Sequence, residues 1–219
     1  MPRTFSPTSV PPDEALARLQ EGNQRFVRGD GTAIRRWDPH LVEGQSPFAV
    51  VLGCSDSRAP AEFVFDQGLG DLFVVRVAGP VIAPSLVGSV EFAASEFGTR
   101  LVVVMGHTHC GAVGATVNAA LGSGPASSNL RSIIDRIAPN LEHLLDAPPA
   151  EPAARLDAAV RANALAAARE LRHASAALQE LVDQRRVVIV SAVYDLETGV
   201  VTFHDEPASV GSSSLGQGA

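Results

Sequence analysis

Only two cysteines occur in the 219 residues, so at most one disulfide can form. No block of Lys or Arg and no basic stripe interleaved with aromatics is present, which argues against a nucleic-acid partner. No run is long and apolar enough to span a bilayer. The longest uncharged apolar-rich stretch, Val77 to Val90, is interrupted by Pro80, Pro84 and two glycines. The first residues, Met1-Pro2-Arg3-Thr4-Phe5-Ser6-Pro7, lack the apolar core of a signal peptide, so a cytoplasmic setting is expected. What remains is 46% hydrophobic and 19% charged, with a net charge of −7, as in a globular protein of one domain. The whole chain, 1–219, is therefore read as a single domain, with residues 1–11 and 209–219 flexible on composition.

Hydrophobic periodicity divides the chain. Asp13 can cap a helix reaching Arg28, with Leu16, Leu19, Phe26 and Val27 at helical spacing and Gly29 at its end. Apolar runs at 48–53, 72–77 and 101–106 predict buried strands. They alternate with a short turn of helix at 60–65 and with helices at 85–97 and 110–121. Helices are expected at 129–146 and, alanine-rich, at 153–183. A strand at 186–193 and an antiparallel hairpin partner at 200–204 close the pattern. This is an α/β fold: a mostly parallel central sheet of four to five strands, flanked by helices on both faces. In such sheets ligands bind beyond the carboxyl ends of the strands.

Both cysteines fall at those ends. Cys54 opens Cys54-Ser55-Asp56-Ser57-Arg58, and Cys110 closes His107-Thr108-His109-Cys110, each directly after an apolar run. Cysteines beside His and Asp bind metal more often than they pair. Cys54, His107 and Cys110 supply two thiolates and an imidazole, the donor set of zinc. Cys110 sits where a helix dipole favours its thiolate. The fourth position decides between a closed structural site and an open catalytic one. Asp56 could reach the metal, but Arg58 two residues on can clamp its carboxylate in a two-pronged way and leave that position to water. His109, next to Cys110, is expected at the surface rather than on the ion.

The two motifs together resemble the β-class carbonic anhydrases. So do Phe65-Asp66 through Gly70-Asp71-Leu72-Phe73-Val74-Val75-Arg76 and Ser89-Val90-Glu91-Phe92-Ala93, and the likeness covers roughly residues 45–120. The resemblance implies a cytoplasmic lyase for carbon utilisation, with one Zn2+ per subunit on Cys54, His107 and Cys110. It implies reversible hydration of CO2 to bicarbonate and a proton by a hydroxide generated at the metal, with Asp56 and Arg58 as the catalytic pair. It further implies an N-terminal helical arm packing on a partner subunit, in a homodimer or an assembly of dimers. Gln45 matches the substrate-orienting glutamine of the plant-like subgroup, Phe73 and Ala78 a pocket wall, Phe92 the pocket rim, and the Gly111 N–H a holder of bicarbonate oxygen. Val51 stands where the other subgroup carries tryptophan, so the resemblance implies a site whose Asp56 stays off the metal near neutral pH.

The chain also departs from the pattern. Arg76-Val77-Ala78-Gly79-Pro80 lacks the two asparagines usual after the second strand, Phe92 replaces a frequent tyrosine, and Ala78 replaces a larger valine. Plainer roles stand beside these: Gln45 as a loop residue, Phe73, Ala78 and Phe92 as packing, Arg76 as a partner of backbone or of a second subunit. Two other functions share the scaffold: hydrolysis of carbonyl sulfide or carbon disulfide, and a non-catalytic zinc-stabilised interaction protein with a closed four-ligand site.

Overall fold

The computed structural model describes residues 10–31, 39–123, 127–145 and 151–204. The expected flexible ends fall outside these residues, apart from Val10 and Pro11, and Val10 packs against the core. The sheet has five strands: β1 (Ala49–Cys54), β2 (Leu72–Val77), β3 (Leu101–His107), β4 (Val188–Tyr194) and β5 (Val201–His204). Their order is β2-β1-β3-β4-β5; the first four are parallel, and β5 runs antiparallel to β4. β1 and β3 are buried along their whole length, which is why their sequences are continuous apolar runs. Chain direction across the sheet reverses at β1. The connection from β1 goes to β2 on one side, and the next goes to β3 on the other, so the crevice lies between the ends of β1 and β3.

Side chains alternate between two cores. Val51, Val103, Met105, Val190 and Ala192 point to the face covered by α1 (Pro12–Arg28) and α2 (Ala61–Val64). Val50, Leu52, Val102, Val104 and Ile189 point to the other. That face carries α3 (Pro84–Glu96), α4 (Gly111–Ala120), α5 (Ser128–Ile137), α6 (Glu142–Leu145), α7 (Pro152–His173) and α8 (Ala176–Asp183). The alanines of α7 serve close approach. Ala159, Ala164, Ala167 and Ala168 are fully buried, and a Cβ on Gly106 of β3 would lie 3.2 Å from Val160 and 3.4 Å from Ala164.

Several boundaries differ from expectation. Pro11 is the N-cap of α1 and Pro12 its first residue, so Asp13 lies inside the first turn and serves the dipole rather than the cap. The expected helix over 129–146 is α5, a 3-10 turn over Ala138–Leu141 containing Pro139, and α6, because proline cannot donate within the helix. The helix over 153–183 divides into α7 and α8. Ser175 leaves the helical region (φ −152°, ψ 155°) and caps α8 by accepting from the Leu178 N–H.

α1 docks on its own chain. It buries Ala15, Leu16 and Leu19, and Asn23 donates to the carbonyls of Val64 (3.1 Å) and Gly199 (2.9 Å) while accepting from Val201 N–H (2.9 Å). Arg25 pairs with buried Asp66 at 2.6 Å. Gly22 makes this contact possible, since a Cβ there would stand 1.8 Å from the Phe65 carbonyl oxygen. Gly22→Ala is therefore expected to destabilise the fold by about 3 kcal/mol, the upper part of the overpacking range. The urea midpoint reads this, and an unchanged midpoint would show that α1 shifts freely.

Candidate metal centre and catalytic site

β1 delivers Cys54 as its last residue, and β3, its neighbour, delivers His107 as its last. The chain then turns through Thr108 and His109, the latter at φ 56°, so that Cys110 becomes the N-cap of α4. The turn is held by Thr108, whose N–H donates to the Tyr194 carbonyl (3.0 Å) and whose Oγ1 accepts from Leu196 N–H (2.9 Å). Sγ of Cys54, a ring nitrogen of His107 and Sγ of Cys110 all lie within 4.8 Å of one another, and all three residues are buried. Both thiols are free, so the disulfide alternative is not what the structure contains.

The donors fit zinc. His107 Nδ1 lies 2.8 Å from the Thr108 carbonyl, which selects the tautomer protonated there and leaves the Nε2 lone pair free. Nε2 is buried with no hydrogen-bond partner, a costly state for a ring nitrogen unless a cation meets it. Cys54 Sγ accepts the N–H groups of Gly79 (3.3 Å) and Asp56 (3.4 Å). Among protein groups alone the sulfurs act as one couple. Hydrogen bonding from Cys110 pushes the Cys54 thiol down, helped by His107 and the two N–H groups against the effect of burial. The same bond and burial push Cys110 up, against the pull of the Val113 and Ala112 N–H groups. For His107, burial disfavours the charged ring, yet the Cys54 sulfur, the Thr108 carbonyl and Asp56 outweigh it and raise the pKa. A cation competes with these protons, so metal uptake releases them and weakens in acid.

Asp56 faces this cluster without turning into it. Arg58 Nε and Nη2 hold its two oxygens at 2.9 and 2.7 Å, the Arg58 N–H adds a bond at 2.9 Å, and Oδ2 stands 3.8 Å from His107 Nε2. Arg58 also reaches the His109 carbonyl at 3.4 Å. Arg76 ties the loop from below, donating to the carbonyls of Cys54 (2.9 Å) and Asp56 (2.7 Å), so its partners are backbone as expected. His109 is exposed, 3.6 Å from Glu197. The side-chain bonds from Arg58 hold the Asp56 carboxyl well below the usual range, with partial burial opposing and the Arg58 N–H and His107 assisting. A depressed carboxyl is ionised at any pH above its ordinary value, and its contribution is lost only as pH falls through the depressed one. A rate change between about pH 9 and pH 6 thus belongs to another group. The residual activity of Asp56→Asn should therefore still show a midpoint in that window, displaced downward by the lost negative charge, and a variant with no midpoint there would contradict this.

The proposed pocket residues divide. Gly111, exposed at the first turn of α4, and Ala78 and Gly79, after β2, flank the cluster in sequence and topology. Gln45 lies before the amino end of β1, so the length of that strand, roughly 16 Å, separates it from Cys54. Phe73 pairs with Val50, four residues back from Cys54 along β1 or roughly 13 Å, and packs on Phe92 and Phe97 at centroid distances of 6.3 and 5.9 Å. One protomer therefore brings together Cys54, His107, Cys110, Asp56 and Arg58, and leaves Gln45, Phe73 and Phe92 at the other end of the sheet. Sequence reasoning does not reach the Gly79 N–H on Cys54; its only trace is a glycine in front of Pro80.

Fold and centre together are those of a metalloenzyme, with a Cys-His-Cys cluster suited to zinc at the end of a mostly parallel α/β sheet. The chain matches the family model described as carbonic anhydrase over residues 49–201, from the first residue of β1 to the first of β5. It belongs to the β-carbonic anhydrase family. Carbonic anhydrase 2 of Mycobacterium tuberculosis is 37% identical over 204 residues, covering 91% of this chain and 96% of that one. The β-carbonic anhydrase CafA of Aspergillus fumigatus superposes with a TM-score of 0.67 at 27% identity, covering 88% of this chain and 90% of that one. Tetrameric β-carbonic anhydrases of Sordaria macrospora share the fold, with a TM-score of 0.69 at 21% identity over 76% of this chain and 85% of that one.

Proposed function

We propose that this protein interconverts carbon dioxide and bicarbonate as a zinc-dependent lyase, with Cys54, His107 and Cys110 holding the metal and Asp56 and Arg58 acting beside it. The observation that carries the reading is the pairing of a three-donor cluster within 4.8 Å with a carboxylate that Arg58 holds 3.8 Å from its imidazole. Zinc, when bound, supplies the Lewis acidity that brings a water molecule's pKa toward neutrality. The protein's residues do the rest. Two thiolates balance the ion's charge. Asp56, ionised and fixed by three bonds from Arg58, accepts a hydrogen bond from the attacking oxygen and aims its lone pair at the CO2 carbon, while the proton passes to solvent. The Gly111 N–H at the start of α4 points a helix dipole at the oxygen that becomes negative. Because Asp56 is turned to Arg58, we place the chain with the plant-like, open-site subgroup.

Gln45, Phe73 and Phe92 can serve this site only from a second subunit, given their place at the opposite end of the sheet. We infer a homodimer or an assembly of dimers in which they face a partner's centre. Phe92, though packed edge-to-face with Phe97 at 5.4 Å, remains 52% exposed, and Phe63, Leu69 and Val42 are exposed as well. Among the described residues no helix is long and apolar enough to cross a membrane, and two free thiols suit a reducing compartment, so we assign the chain, as one domain, to the cytoplasm. Stopped-flow CO2 hydration with the zinc-loaded protein tests the activity, and a zinc-replete protein without hydration would refute it. Gln45→Ala tests the assembly: it should lower activity about a hundredfold with zinc content unchanged, and full activity in a monomer would remove the partner's role.

A further inference from the structure

Asn163 lies in the middle of α7, in a segment otherwise made of alanines and aliphatic residues, and is wholly buried. An asparagine there is poor for the helix and costly to desolvate, so its hydrogen bonds have to compensate. They do. Nδ2 donates to the Pro80 carbonyl at 3.0 Å, and Oδ1 accepts from Asn140 Nδ2 at 2.9 Å. The Pro80 carbonyl can only accept, which fixes which end of the Asn163 amide faces it. One residue earlier, the Gly79 N–H donates to Cys54 Sγ at 3.3 Å. Gly79 itself has little latitude. Its φ is +71°, and a Cβ on it would lie 2.9 Å from Ile137 Cδ1 and 3.2 Å from Ala112 Cβ. The Gly79-Pro80 segment is thus confined by α4 and α5 and tethered at one point to α7.

We propose that Asn163 is a positioning residue for the metal centre. Through the Pro80 carbonyl it fixes the Gly79 peptide so that its N–H stays on the Cys54 sulfur, and so sets how firmly that sulfur holds the ion and how much charge it donates. The inference rests on Cys54 being a ligand. A thiolate that keeps an N–H bond is held in one direction and is harder to protonate or detach. Without the tether only the packing of α4 and α5 holds the segment, and the small turn this still allows lengthens the Gly79 N–H bond and leaves the sulfur chiefly with the Asp56 N–H. Asn140, from the 3-10 turn, restrains Asn163 in its turn and should have the same influence at one further remove.

The test uses Asn163→Leu, Asn140→Ala and, as a reference on the same helix, Leu171→Ala, which removes a fully buried side chain from the core away from the centre. Two quantities are read on the full chain: the rate of zinc transfer to a colorimetric chelator, and the sulfur-to-cobalt charge-transfer band of the cobalt-substituted protein. Asn163→Leu should release zinc about tenfold faster, the lower end of the range for groups behind a ligand, and move the cobalt band. Asn140→Ala should move both in the same direction by less, and Leu171→Ala should leave both as in the parent despite lost stability. If Asn163→Leu does not fold, Asn140→Ala decides. Parent-like zinc release and band in the asparagine variants, or equal changes in Leu171→Ala, would overturn the inference. A parent protein with no sulfur-to-cobalt band would instead refute Cys54 and Cys110 as ligands.

Discussion

Cys54→Ala is expected to cost the protein its zinc and, with it, more than about 99% of its CO2 hydration. Apparent zinc affinities of about 10–16 kcal/mol are spread over four donors in closed sites, roughly 2.5–4 kcal/mol each. One lost donor of three should then weaken binding by about two to three decades. The remaining pair, His107 and Cys110, has no other sulfur or imidazole within reach among the described residues. The fold should survive. Cys54 is 5% exposed at the rim of a cluster built chiefly on Val81, Val113, Val117, Ile137 and Val160, so removing one sulfur leaves most of that packing in place. Metal analysis after dialysis and far-ultraviolet circular dichroism check the two halves. A folded variant that keeps stoichiometric zinc would show that the ion is held elsewhere.

Asp56→Asn should lower kcat/KM by roughly 10²- to 10³-fold while the zinc content stays at one per chain, a loss typical of removing one positioned polar partner of the reacting group. The substitution keeps the shape and one acceptor for Arg58 but removes the charged acceptor that orients the attacking oxygen. It separates the carboxylate's two possible duties. If Asp56 were a ligand, its loss would reach the metal first, and zinc content would fall together with activity. Since Arg58 occupies both carboxylate oxygens, at 2.9 and 2.7 Å, only the rate is expected to fall. Arg58→Met offers the converse: a carboxylate released from its clamp, 3.8 Å from His107, can turn toward the ion, and activity should drop with zinc held at least as tightly.

The chemistry of this centre was legible in sequence because each donor sits at the end of a strand that announces itself. A run such as Leu101-Val102-Val103-Val104-Met105 has one structural meaning when buried on both faces, and the residue after it has one place to go. The Asp56–Arg58 pair was legible for a similar reason: two residues of separation allow little besides a local clamp. Less was visible where a residue acts through a distant backbone atom. Gly22, Asn23 and Asn163 look ordinary in their helices. Their partners, at Phe65, Val64, Gly199 and Pro80, lie from 41 to 176 residues away, and no periodicity encodes them. Helix ends failed where a local device outweighed the pattern: Pro12 displaced Asp13 as the start of α1, and Ser175 broke a continuous apolar stripe. The pocket residues carry a third kind of gap. Gln45, Phe73 and Phe92 have clear positions in the chain, but the sequence does not show that the length of a strand separates them from Cys54 within one protomer.

X-ray absorption at the zinc edge at pH 8, on parent and Asp56→Asn proteins alike, tests the central claim most directly. The account predicts two sulfurs and one imidazole nitrogen from the protein in both samples, with the shell unaltered by loss of the carboxylate. A sulfur count other than two, a shell that changes when Asp56 is replaced, or full CO2 hydration by protein free of metal would contradict it.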